Sequence, residues 1–302
     1  AEPDTATLLD ETYSELQQKL TWRWSATDTL SNYASYGIGF RSGGFNSLGS
    51  EDIIEQFYGS FPTAPQNITD EYDEEISTTF EVGVKSQWLD NTLQLNAAVF
   101  YTEVEDNQFF EFFAGPFGLL RAVTTIDEMY VQGFEADFQW LITDNLLFSG
   151  GFAYNDTKLV DPNLFTAPCG SGLCTVTDPL NSFGQASLDG NPFPRAPETT
   201  YNLEVRYGAP VGNNAEVYFL TDWVWYGEIN MPLYEAVEFV TKDQFEGGVR
   251  FGYRSDDSGW NIAAFGRNLT DEVIVQNGID FNNLVGFTND PRMIGIEFVA
   301  HF

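Results

Sequence analysis

The segment NQFFEFFAGPFGLLR, from Asn107 to Arg121, places Phe109, Phe110, Phe112, Phe113 and Phe117 close together with a cation, Arg121, behind them. Rings grouped on a water-facing loop usually bind something. Stacking plus one charge-assisted contact would suit an aromatic or anionic chelate, so these six residues are the candidate wall of a ligand vestibule. The competing reading is that the rings pack on neighbouring loops. A second segment, TDEYDEE from Thr69 to Glu75, concentrates carboxylates that could hold Ca²⁺. Runs of acid are more often simply solvated, and no metal and no cofactor is assigned. Cys169 and Cys174 are the only cysteines, and their neighbours offer no further zinc ligands. Their spacing predicts a short disulfide within a loop, and so an oxidising compartment. The sole histidine, His301, has no nucleophile pattern near it, and paired carboxylates carry no glycosidase signal among 45 acidic residues. No catalytic site can be assembled, so the chain is not read as an enzyme.

Composition narrows the partners. Against 45 acidic residues stand 13 Lys and Arg, for a formal net charge of −32. Such a surface repels phosphate backbones and excludes nucleic acid as a partner. It suits a solvated exterior, a cationic ligand or a saline habitat. Aromatics make up 16% of the 302 residues, which excludes a disordered chain. No stretch is long and apolar enough for a transmembrane helix, but a mean hydropathy of −0.22 would also hide barrel strands.

The elements that must position these residues read as strands. Ile76, Thr78, Phe80, Val82 and Val84 alternate with Ser77, Thr79, Glu81, Gly83 and Lys85, and the same period recurs at 93–101, 199–207, 245–253 and 294–302. One greasy and one wet side per strand describes a sheet with two different solvents. Short connections rich in Asp, Asn and Gly (SATDT, LDNT, LITDN, APVGNN, SDDSG) alternate with long ones at 42–75, 108–127, 159–195, 229–241 and 270–290. Short turns at one end and long loops at the other are the asymmetry of an outer-membrane β-barrel. About eleven strands are predicted, with Trp and Tyr near their ends where rings favour the membrane boundary. The strand ending at Phe302 then turns Ile294, Ile296 and Phe298 toward lipid.

Eleven is odd, and single-chain bacterial barrels have an even number of strands. The segments SNYASYGIGFRSGGFN (Ser31 to Asn46), STTFEVGVKSQWLDNTLQLNAAVFYTEVED (Ser77 to Asp106) and VQGFEADFQWLITDNLLFSGGFAYNDT (Val131 to Thr157) resemble TonB-dependent outer-membrane receptors. GRNLTDE (Gly266 to Glu272) and DPRMIGIEFVAHF, with Phe302 as the terminal signature, resemble that family's C-terminal end. The resemblance implies an all-β, transmembrane antiparallel barrel of 22 strands, of which residues 1–302 would form the C-terminal part. The plug domain and first barrel half would lie outside this chain. It further implies a bacterial outer-membrane receptor moving a scarce nutrient, such as a ferric siderophore or similar chelate, into the periplasm, energised by TonB. The expected partners are outer-membrane lipid and lipopolysaccharide, the plug and first barrel half, TonB, and a small-molecule ligand. A passive, porin-like or structural barrel is the alternative.

Overall fold

Turn chemistry sets the first hairpin: Asp28 and Thr29 join β1 (Lys19–Thr27) to β2 (Leu30–Arg41), and the Thr29 amide donates to Thr27 Oγ1 at 3.2 Å. The computed structural model describes residues 10–47, 49–58, 68–115, 118–255, 259–280 and 283–300. The connection after β2 carries β3 (Gly44–Phe45), α1 (Ser50–Tyr58) and β4 (Glu71–Tyr72). Then β5 (Glu75–Trp88) turns into β6 (Leu93–Gly115) through Leu89, Asp90 and Asn91, all with left-handed φ of 53°, 56° and 68°. Asp and Asn accept that conformation at low cost. β7 (Gly118–Thr143) and β8 (Leu146–Val160) follow, and a long connection holds β9 (Phe165–Thr166) and β10 (Ala186–Ser187). Next come β11 (Thr199–Pro210), β12 (Ala215–Tyr226), β13 (Gln244–Ser255) and β14 (Trp260–Arg267). A separate hairpin of β15 (Val275–Asp280) and β16 (Leu284–Thr288) precedes β17 (Met293–Ala300).

Eleven of these strands make one antiparallel sheet in the order β1-β2-β5-β6-β7-β8-β11-β12-β13-β14-β17. Each main strand therefore pairs with its neighbours in sequence, as a meander does. Among the described residues β1 pairs only with β2, and β17 only with β14, so the sheet has two open edges.

Register aligns rows of large apolar residues from neighbouring strands on one face. Trp88, Leu93, Trp140, Phe148 and Val205 lie in one row, and Phe80, Tyr101 and Gln132 in another nearer the loop end. From Leu93 to Tyr101 the apolar band runs about 27 Å along β6 at roughly 3.4 Å per residue. A barrel tilt of about 40° would shorten that toward the ~25 Å band of outer-membrane barrels. The next row, Glu103, Tyr130 and Lys158, is polar. On β17, Ile294 is 82% exposed, Ile296 78% and Phe298 65%, as the alternation of the last strand predicts.

The opposite face is charged and internally bonded. Arg206 meets Glu216 at 2.6 Å, Arg267 meets Asp222 at 2.6 Å, and the Asn96 amide donates to Asp137 at 2.9 Å. Arg250 bonds Glu297 and donates to the Tyr218 hydroxyl at 3.2 Å, which donates in turn to Asn261. Here glycine has a packing role: a Cβ on Gly83 would lie 2.5 Å from the Tyr33 ring, and one on Gly252 2.5 Å from Tyr218.

One expected loop is not a loop. Residues 108–115 and 118–127 continue the β6–β7 hairpin, whose pairing resumes after Asp106 and runs to Gly115 opposite Gly118. The extension stands without neighbouring strands, and side chains cover its free edges. The Asn46 side chain donates to the Val123 carbonyl and accepts from its amide, at 3.0 and 2.7 Å. On the other edge the Gln108 amide donates to Glu75 at 2.9 Å, and its side chain bonds the Ser42 and Asp73 carbonyls. Unpaired backbone groups satisfied in this way cannot recruit a foreign strand.

Candidate ligand-binding mouth

At the loop end, three connections fold together over the polar face of the sheet. Leu159, Leu164, Ala186 and Leu188 from the β8–β11 connection pack with Met231, Leu233, Tyr234, Ala236 and Phe239 from the β12–β13 connection, and with Val104, Ile126 and Met129 below them. Leu284 of β16 joins the same cluster. Polar contacts tie the connections further. Asp178 accepts from the Glu235 amide at 2.7 Å and from the Asn191 side chain at 3.1 Å, and Glu238 accepts from the Thr175 amide at 2.7 Å. Arg195 donates to Asn277 at 2.7 Å, linking the β15–β16 hairpin. The disulfide between Cys169 and Cys174 closes a turn at the rim.

The aromatic segment divides within this arrangement. Phe109 packs against the loop core, edge-to-face with Phe193 at a centroid distance of 6.1 Å. Phe110 is exposed, and the Arg121 guanidinium lies 4.6 Å from its ring centroid. That is a cation–π contact already made within the protein. Phe112 and Phe113 sit on β6 opposite Arg121 and Leu120 in register, and Phe117 lies outside the described residues, as do His301 and Phe302. The cause of the division is Asp106, whose φ of 52° interrupts the alternation of β6. Before it, even-numbered Val104 faces the core, whereas beyond it odd-numbered Phe109 does.

The acidic segment is used piecemeal. Asp70 accepts from the amides of Gly49 and Glu51 at the start of α1, both at 3.1 Å. Glu71 accepts from the Tyr13 hydroxyl, whose pKa is pushed up to about 12 by desolvation and by Glu71 itself. Glu75 serves the β6 edge and pairs with Arg41 at 3.7 Å. Among the described residues no group of three or more His, Cys, Asp or Glu could hold a metal ion.

A cavity of about 320 Å³ lies where the folded connections meet the ends of β8 and β11, lined by Asn155, Thr157, Glu198, Glu228, Asn230 and Glu235, among others. Asp156 also borders it, its carboxylate held by Gln132 at 2.8 Å. No Lys, Arg or His lines it. Asn230 is 8% exposed; its amide nitrogen donates to the Pro232 and Tyr234 carbonyls, and its Oδ1 has no protein partner. Burial, then the nearby Asp178 charge, raises the pKa of Glu235. The sequence offers no signal for this site. Its residues come from three separate segments, and carboxylates are too common to mark any one of them.

A meandering sheet with one exposed apolar face as tall as a thin membrane, one charged face and loops gathered at one end is the wall of a transmembrane β-barrel. The family model described as "TonB dependent receptor-like, beta-barrel" matches residues 3–234, and the chain belongs to that family. Over 135 residues, 45% of the chain, it is 32% identical to a curated Acinetobacter baumannii protein named "Probable TonB-dependent siderophore receptor PiuA", of which the match covers 16%. The fold is similar to the ferric yersiniabactin uptake receptor FyuA of Yersinia pestis, with a TM-score of 0.67 at 16% identity over 93% of this chain and 36% of that one. It is also similar to BauA, the ferric preacinetobactin receptor of Acinetobacter baumannii, with a TM-score of 0.64 at 16% identity over 98% and 37%. The chain thus spans little more than a third of the length of these solved structures.

Proposed function

We propose that this chain is the C-terminal wall of a bacterial outer-membrane receptor that takes a ferric siderophore or similar chelate into the periplasm with energy delivered by TonB. The observation that carries this reading is the pairing of an exposed apolar face with a charged, hydrogen-bonded face that leads to a loop-built mouth. Such a sheet needs lipid on one side and an aqueous or protein-filled lumen on the other. Family membership supports the energised mode, and the descriptions of PiuA as a probable siderophore receptor and of FyuA and BauA as receptors for ferric yersiniabactin and ferric preacinetobactin support the substrate class. In this reading the two open edges are closed by further strands of a longer barrel, and a plug domain fills its lumen. The rim carries Phe110 and Arg121 as candidate contacts for the chelate, with Phe112 and Phe113 on the same hairpin; Phe117 is a candidate from the sequence that lies outside the described residues.

The test uses the full-length receptor in an iron-starved deletion strain. Uptake of radioactive iron from ferric siderophores is expected to return with the receptor and to fall at least about tenfold when TonB is removed or a protonophore is added. Uptake that is equal with and without TonB would establish a passive barrel instead.

A further inference from the structure

We infer that a groove in the apolar face, floored by Ala97 and Ala136, is a fixed seat for one acyl chain of a zwitterionic aminophospholipid of the periplasmic leaflet. This rests on the proposed reading of that face as lipid-facing and of the loop end as external. Register builds the groove. Across β6, β7, β8 and β11 one row reads Ala97, Ala136, Phe152 and Tyr201, and the next row toward the turns reads Leu95, Phe138, Gly150 and Leu203. Phe138 and Leu203 close over Gly150, where a Cβ would lie 2.9 and 2.8 Å from their side chains. The two alanines reach less far than the rings and leucines around them, and a depression of about 480 Å³ remains. That volume is in the range of small-molecule sites. Asn96 and Asp137 also border it, but their side chains bond each other on the opposite face. A depression so lined does not hold water, and left unfilled it forfeits dispersion contacts.

Burial alone selects no occupant, because lipid tails are as apolar as the groove. Depth selects the leaflet and charge selects the headgroup. Ala97 stands four residues from Leu93, at the turn end of the apolar band, or roughly 14 Å at about 3.4 Å per residue. The groove therefore occupies the half of the band nearer the turns. A chain anchored on that side lies along it, whereas one entering from the loop side meets it only with its tip. The β5–β6 and β7–β8 turns beside the groove carry the exposed Asp90 and Asp144. The cations near this end, Arg23, Lys85, Arg206 and Arg254, lie on the polar face against Ser31, Tyr33 and Glu216. An ammonium headgroup thus meets carboxylates, and a purely anionic headgroup is repelled.

The probe is phosphatidylethanolamine with a mid-chain diazirine, in vesicles of phosphatidylethanolamine and phosphatidylglycerol in equal parts that hold the full-length receptor. Irradiation and peptide mass spectrometry read the labelled residues without TonB or iron. Labelling at Leu95, Phe138, Phe152 or Leu203 is expected at no less than about fivefold the level at Phe251. That ring is exposed on the same face, four residues from the turn end of β13, and reports bulk lipid. Filling the floor with Ala97→Leu/Ala136→Leu should lower groove labelling to the Phe251 level. If that variant does not fold by circular dichroism, Ala97→Leu alone should lower it at least about threefold. With the diazirine on phosphatidylglycerol instead, labelling should fall about threefold, a modest step because exposed charges are screened, and Asp90→Asn/Asp144→Asn should abolish the difference. Groove labelling no stronger than at Phe251, unchanged by filling, equal from the two lipids, or displaced by equimolar lipopolysaccharide would overturn the site while leaving the lipid-facing reading intact. Absence of labelling at Phe251 as well would overturn both.

Discussion

Phe109 and Phe110 are adjacent in sequence and opposite in environment, which makes them a direct comparison. Phe109 fills space beside Phe193 in the loop core, so Phe109→Ala should leave a cavity and cost about 3 kcal/mol of mouth stability. Phe110 is exposed, and its ring gives Arg121 only a surface cation–π contact. Its loss should cost under about 1 kcal/mol. Thermal melts and limited proteolysis of the full-length receptor would separate the two. Equal sensitivity would contradict the change of face at Asp106. The six-residue candidate wall was legible as composition, yet its division was not. Strict alternation would put Phe109 and Val104 on opposite faces, and only the φ of 52° at Asp106 brings both to one core.

The folded connections form an element in their own right, and buried carboxylates make that element pH-sensitive. Burial raises the pKa of Asp161 and of Asp178, despite the amide hydrogen bonds that favour their charged forms. Asp161 also faces the like charge of Asp127, with Asp189 bonded to its amide, and Asp178 faces Glu235. A carboxyl whose folded pKa is raised favours the folded state in its neutral form. Stability should therefore be greatest below the unfolded carboxylate pKa of about 4, and fall as pH rises through the raised folded value. Hydrogen exchange across residues 161–198 is expected to quicken as pH rises through that window, after correction for intrinsic rates, and Asp161→Asn should flatten the trend. Exchange that slows instead would mean that the amide donors outweigh burial.

At the scale of the whole molecule, the two open edges dominate. Each unsatisfied backbone group facing hydrocarbon costs several kcal/mol, so β1 and β17 cannot both lie bare in a bilayer. Residues 1–302 expressed alone are expected to aggregate or to associate edge to edge, and to become monodisperse only with the remaining strands of the receptor. Analytical ultracentrifugation in detergent checks this; a folded monomer of 33.9 kDa would show that the sheet closes on itself.

The sequence alone determined the sheet. Alternation at Ile76–Val84 or Ile294–Phe298 assigns each side chain to a face because a strand has period two. Turns such as Leu89–Asn91 declare themselves because few residues accept a left-handed φ. From those local rules came the strand count, the lipid-facing side and the rhythm of short and long connections. Tertiary structure decided the mouth. Whether the end of β6 and the start of β7 form a loop or a hairpin depended on Asn46 reaching from elsewhere to cap one edge and on Glu75, Ser42 and Asp73 accepting from Gln108 at the other. The cavity around Asn230 exists only because connections far apart in sequence pack on one hydrophobic cluster. Backbone periodicity is a property of neighbours along the chain, whereas a cavity is a property of neighbours in space, and no single segment of this sequence records it.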